Sequence, residues 1–311
     1  MFISYILFTR FFGYHPAPDS AKGAPASEST ERLMGPGFEA FRDASIDATQ
    51  SLEKREHTRL DIRSDDGLRL SAAYFRCVPV SDKLAILVHG HNSHGMRGNA
   101  IKALRYLDAG FNVLLPDNRA CGRSEGKWET FGAKESRDTL RWIERIVSEN
   151  KNAEIFLDGC SLGGATVCLL AGMELPDNVR FLVSDCAFAR AKDEFRYILK
   201  HCAGLPAFPF LYTLDLWDRM INRVSYKDQC PVDAVRRARV PMLFMHGAED
   251  RYIPVSQAEL LHNACSADNR LVLVEGAGHA AASMWGGDKY FDPVLEFAQK
   301  CMTGDQICEQ L

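Results

Sequence analysis

Ser161 lies in Gly159-Cys160-Ser161-Leu162-Gly163-Gly164, between an apolar run at 153–158 and a run of small residues at 165–173. The first run reads as a short buried strand and the second as a helix. Strand, G-x-S-x-G, helix places a serine on a turn so tight that its backbone is strained. Gly159 and Gly163 keep Cβ atoms out of the places where strand and helix nearly collide. The hydroxyl then stands at the carboxyl end of the strand, where it can attack a carbonyl. The N–H of Leu162, at the start of the helix, points to where an oxyanion would form. An ordinary Gly/Ser turn would look the same locally, so the rest of the chain must supply the partners.

A serine nucleophile needs a base, and the base needs an orienting acid. A Gly-rich loop past the last apolar run, Glu275-Gly276-Ala277-Gly278-His279, offers His279 as the base. The run before it ends in His246-Gly247-Ala248-Glu249-Asp250, where Asp250 can accept from the second imidazole nitrogen. Glu249 and Asp185 are the rivals for the acid. A second oxyanion donor is expected after the apolar run at 83–89, on the N–H of His91. Phe188 follows the apolar run at 179–185 and is expected to lie closest to an acyl group. The nine histidines show no ligand cluster; His89, His91 and His94 come nearest, and neither a metal nor an organic cofactor is expected.

These residues need a scaffold that brings them to one edge. From residue 38 the chain alternates between helix-period and strand-like segments. A helix is expected at 38–53 and a hairpin at 58–77, turning on Asp65-Asp66-Gly67. Strands follow at 83–89, 111–116, 153–158, 179–185, 240–246 and 270–275. Helices are expected at 99–109, 133–150, 256–265 and 290–302. That order means a mainly parallel sheet with helices on both faces, and ligands in such sheets sit at the carboxyl ends of the strands. The interval 186–239 is too long for one crossover helix and rich in aromatics. It reads as a small helical cap, about 187–235, over the site.

Net charge is −4, with 46% apolar and 25% charged residues, and no basic stripe points to nucleic acid. Ten cysteines without a C-x-x-C pair suit a reducing compartment. Cys301 and Cys308 are near enough in the tail to pair, and nothing in the sequence decides whether they do. The chain divides into an apolar stub and linker at 1–37 and a body at 38–311. The stub is too short to span a bilayer, which needs about 20 residues. It is expected to dock weakly on the body or touch a membrane, and to be dispensable for catalysis. The expected location is cytoplasmic, with membrane association through the stub as the alternative. Oligomeric state is not legible.

Five segments in order resemble the α/β-hydrolase superfamily over about residues 58–300. They are Leu87-Val88-His89-Gly90-His91, Asp117-Asn118-Arg119-Ala120-Cys121-Gly122-Arg123-Ser124, the Ser161 turn, His246 to Pro254, and Gly278-His279. Ala120 replaces a usual glycine in a segment that is structural in that superfamily. The runs Ser124-Glu125-Gly126-Lys127 and Thr130-Phe131-Gly132 are similar to bacterial small-cap esterases. The resemblance implies an α/β-hydrolase fold, a mainly parallel sheet with helices on both faces and a small helical cap. It implies hydrolysis of a small-molecule carboxylic ester with an apolar or aryl acyl group, through an acyl-enzyme on Ser161. An aminopeptidase, thioesterase or acyltransferase with the same residues is the alternative within enzymes. A non-catalytic binding protein on the same fold is the alternative outside them.

Overall fold

The computed structural model describes residues 2–14, 33–201 and 203–302. The expected linker lies outside the described residues up to position 32, and Cys308 lies outside them too. Eight strands form one sheet: β1 (Thr58–Arg63), β2 (Arg69–Phe75), β3 (Lys83–Val88), β4 (Asn112–Pro116), β5 (Glu154–Cys160), β6 (Val179–Asp185), β7 (Met242–Gly247) and β8 (Asn269–Val274). Their order is β1-β2-β4-β3-β5-β6-β7-β8. β1 pairs antiparallel with β2, and β2 with β4; every later pairing is parallel.

The central strands are apolar throughout because both faces are covered. Leu84, Ile86 and Val88 of β3, with Ile155 and Leu157 of β5, face one core. Ala85, Leu87 and Phe156, which alternate with them, face the other. That is the period-2 alternation of a strand buried on both sides. The first core holds α4 (Glu135–Glu149) and α5 (Leu162–Ala171), and the second holds α3 (Gly95–Asp108) and α11 (Asp288–Cys301). α2 (Phe38–Glu53) precedes them in sequence, and α9 (Ser256–Ala264) and α10 (Ala282–Gly286) run before α11. The β6–β7 interval supplies three helices, α6 (Ala191–His201), α7 (Ala207–Ile221) and α8 (Pro231–Val235).

The N-terminal segment does more than the expected weak docking. Residues 2–12 form a helix, α1 (Phe2–Phe12), and Phe8 and Phe12 are fully buried in the first core. Phe12 sits edge-on to Phe131 at 5.1 Å, and Phe11 edge-on to Phe195 at 5.6 Å. The opposite side of α1 is exposed at Phe2, Ile3 and Ile6. It adjoins α7 through Tyr5 and Trp217, whose rings are 5.0 Å apart. α7 carries its own exposed stripe, Tyr212, Leu216 and Met220, at the four-residue spacing of one helix face, with Phe208 exposed at the kink before it. Among the described residues no helix is long and apolar enough to cross a membrane.

Candidate active site

β5 ends at Cys160 and α5 begins at Leu162, so the whole reversal falls on Ser161, with φ 56° and ψ −116°. A non-glycine residue holds that backbone only where its surroundings enforce it. The Ser161 N–H donates to the Asp185 carbonyl at 2.8 Å, and its carbonyl accepts from Ala165 N–H at 3.0 Å. Two glycines make the crossing close enough. A Cβ on Gly159 would lie 2.1 Å from the Gly163 carbonyl oxygen, and one on Gly163 would lie 2.0 Å from the Val88 carbonyl oxygen.

Below the turn, Lys102 is buried against two carboxylates. Its Nζ lies 2.7 Å from Asp158 and 2.9 Å from Asp185, while Tyr106 and Tyr290 donate hydroxyls to the same acids. Burial opposes the charge on Lys102, but Asp158 and Asp185 outweigh it and hold the ammonium protonated. This cluster ties the ends of β5 and β6 together directly under Ser161.

His279 sits in the loop between β8 and α10, and its ring bridges two residues. Nε2 lies 3.0 Å from Ser161 Oγ and Nδ1 lies 2.8 Å from Asp250 Oδ2. With the carboxylate on Nδ1, that nitrogen carries the proton and Nε2 is left to accept from the serine. The loop is pinned from the N-terminal side, where His279 N–H donates to the Met34 carbonyl at 2.7 Å. Asp250 is fixed by its other oxygen, which accepts the N–H groups of Tyr252 and Ile253, both at 2.9 Å. Burial opposes ionisation of Asp250, but His279 and His246 outweigh it and hold the carboxyl well below its usual range.

Ser161, His279 and Asp250 are thus brought together, and the two rival acids are not. Glu249 is exposed. Asp185 turns its carboxylate to Lys102 and Tyr290 instead. His246 was not singled out by sequence reasoning. Its Nε2 is 3.3 Å from Asp250 Oδ2 and 2.8 Å from the Ile253 carbonyl, so it steadies the acid from the far side. The four-residue offset between His246 and Asp250 was the available signal.

Leu162 is the first residue of α5, so its N–H has no partner within the helix. The loop after β3 presses on the serine. A Cβ on Gly90 would stand 3.3 Å from Ser161 Cβ, and His91 follows directly. Phe188 is buried against Phe131 with ring centroids 6.3 Å apart, and Phe131 packs on the His91 ring at 5.5 Å. Phe188 is buried in the core, so its truncation to Ala is expected to cost about 3–5 kcal/mol of stability.

The three early histidines have separate partners: His89 the Asn118 N–H, His91 the Glu129 carboxylate and His94 the start of α3. Cys186, Asp250 and His279 do place ligand atoms within 4.8 Å of one another. Asp250 and His279 are engaged with each other there. Burial pushes the Cys186 thiol well above its ordinary value.

A model described as "Alpha/beta hydrolase family" matches residues 85–294. Protein YqkD of Bacillus subtilis, itself described as uncharacterized, is 28% identical over 260 residues, 82% of this chain and 83% of that protein. Protein bem46 of Schizosaccharomyces pombe is 24% identical over 249 residues, 78% and 76% of the two chains. Among solved structures, the esterase Pf2001 of Pyrococcus furiosus superposes with a TM-score of 0.64 at 18% identity, over 82% of this chain and 94% of that one. An esterase from Exiguobacterium antarcticum gives 0.58 at 17% identity, over 77% and 99%. At these identities the superpositions speak for the fold.

Proposed function

The chain belongs to the alpha/beta hydrolase family, and from that premise we propose that it is a serine hydrolase of carboxylic esters with apolar or aryl acyl groups. The observation that carries this reading is the unbroken relay from Ser161 Oγ to His279 to Asp250, at 3.0 Å and 2.8 Å. His279 Nε2 takes the serine proton as Oγ attacks the ester carbonyl. Asp250 keeps the imidazole in the right tautomer and stabilises the imidazolium. The N–H groups of His91 and Leu162 receive the oxyanion. His279 then protonates the leaving alcohol, and water repeats the sequence on the acyl-enzyme. Every step uses groups of this chain.

The ester reading draws support from the structural likeness to two esterases, and the apolar acyl group from the resemblance read in the sequence; Phe12, Phe131, Phe188 and Phe195 beside the His91 loop are buried in the core. The exposed stripe on α1 and α7 favours a second reading, weak contact with a membrane or micelle surface during turnover. One assay addresses both. p-Nitrophenyl esters of increasing chain length are compared with an aminoacyl anilide, below and above the micellar transition of the longest ester. The expected result is ester turnover that exceeds anilide turnover by at least about tenfold. A faster rate on micelles supports the surface reading, and an unchanged rate counts against it. Preference for the anilide would replace the esterase reading with a peptidase.

A further inference from the structure

Glu129 is completely buried beside the His91 loop, and the relay above makes no use of it. A buried carboxylate without partners is costly, so what holds this one is informative. Its Oε2 lies 2.5 Å from His91 Nδ1 and accepts a long hydrogen bond, 3.5 Å, from the Asn92 N–H. On the other side of the ring, His91 Nε2 is 3.0 Å from the Asn92 side-chain amide. Of the two imidazole nitrogens, Nε2 meets the Asn92 amide, and Nδ1 faces the Glu129 carboxylate at ion-pair distance but off the line of a hydrogen bond. Asn92 itself takes a φ of 56°, the left-handed region that asparagine enters more readily than most side-chain-bearing residues. Burial opposes ionisation of Glu129, but His91 outweighs it and holds the carboxyl below its usual value, with the Cys121 thiol as a further donor. Glu129 is anchored in turn by the N-terminal segment. Its N–H donates to the Phe12 carbonyl at 2.8 Å, and Trp128 bridges to Gly13.

We propose that Glu129 is a positioning residue for the oxyanion: its buried carboxylate clamps the His91–Asn92 turn and keeps the His91 N–H aimed at the developing charge. The inference rests on the assignment of that N–H as an oxyanion donor. Such a donor acts only within about 2.7–3.1 Å of the place the oxyanion will occupy. The turn that carries it is short and left-handed at Asn92. The side-chain contact of His91 with Glu129 ties it to the body of the protein.

Glu129→Gln keeps the shape and removes the charge. Steady-state kinetics on p-nitrophenyl butyrate are measured beside the rate of Ser161 labelling by a fluorophosphonate and the pH–rate profile. Loss of an oxyanion donor typically costs 10²–10³ in rate, and a misaimed one is expected to cost about 10- to 100-fold in kcat. KM should stay within about twofold, labelling should slow in parallel, and the acidic limb of the profile should not move, because His279 and Asp250 are untouched. His91→Gln should give the same pattern. The double variant should be no more than about twofold worse than the poorer single, since both break one contact. A kcat for Glu129→Gln within twofold of wild type overturns the proposal, as do losses that multiply in the double variant. If Glu129→Gln does not fold, His91→Gln decides alone: a tenfold loss of kcat at constant KM supports the clamp, and unchanged kcat overturns it. A wild-type protein with no ester turnover and no labelling at Ser161 would overturn the serine-hydrolase reading itself, and the clamp with it.

Discussion

Asp250→Asn is expected to lower kcat on an ester by about 10⁴-fold, while Glu249→Gln changes it less than about twofold. The reason lies in which oxygen does what. Oδ1 of Asp250 accepts the N–H groups of Tyr252 and Ile253, and an asparagine oxygen can keep both, so the loop survives. Oδ2 faces His279 Nδ1 and His246 Nε2. An amide nitrogen there donates where it should accept, which favours the imidazole tautomer whose Nε2 carries the proton and cannot take one from Ser161. Steady-state kinetics with thermal melts of each variant check this. A larger loss in Glu249→Gln than in Asp250→Asn would move the acid one residue back.

Removal of residues 1–37 is expected to abolish activity and to destabilise the protein severely. Phe8 and Phe12 are fully buried, and a core Phe→Ala change costs about 3–5 kcal/mol. The usual total for a domain is only about 5–15 kcal/mol. Residues 33–37 act more directly. The Met34 carbonyl holds the His279 N–H, and Gly35 lies so close to the Glu249 carbonyl that a Cβ there would be 2.5 Å from its oxygen. The segment thus braces the loops of both His279 and Asp250. Urea denaturation and ester kinetics on the truncated chain and on Phe12→Ala test this. A soluble, folded truncation with unchanged kcat/KM would return the segment to the dispensable role that its sequence suggested.

The central strands were legible because burial on both faces leaves a continuous apolar run, as in β3, β5 and β6. The Ser161 turn was legible because only glycine fits at 159 and 163. Helix starts were less so. α3 begins at Gly95, four residues before the apolar period shows, since its first turn is glycine-rich and capped by the His94 side chain. The packing of α1 was hidden for another reason. It is apolar nearly all round, so no stripe tells the buried Phe8 and Phe12 from the exposed Phe2 and Ile6. Lys102 and Glu129 carry no local signal, because their partners are 56 and 38 residues away in sequence. Ser161, His279 and Asp250 could be found because each follows the end of a strand. The groups that hold them in place could not.

The most direct test of the central claim is covalent labelling. The intact protein is treated with a fluorophosphonate and the adduct located by peptide mass spectrometry, beside Ser161→Ala as a folded control. The relay of Ser161, His279 and Asp250 predicts a single adduct on Ser161, loss of ester turnover in step with labelling, and no adduct or turnover in Ser161→Ala. An adduct elsewhere, or a folded protein that hydrolyses esters with Ser161 replaced, would contradict it.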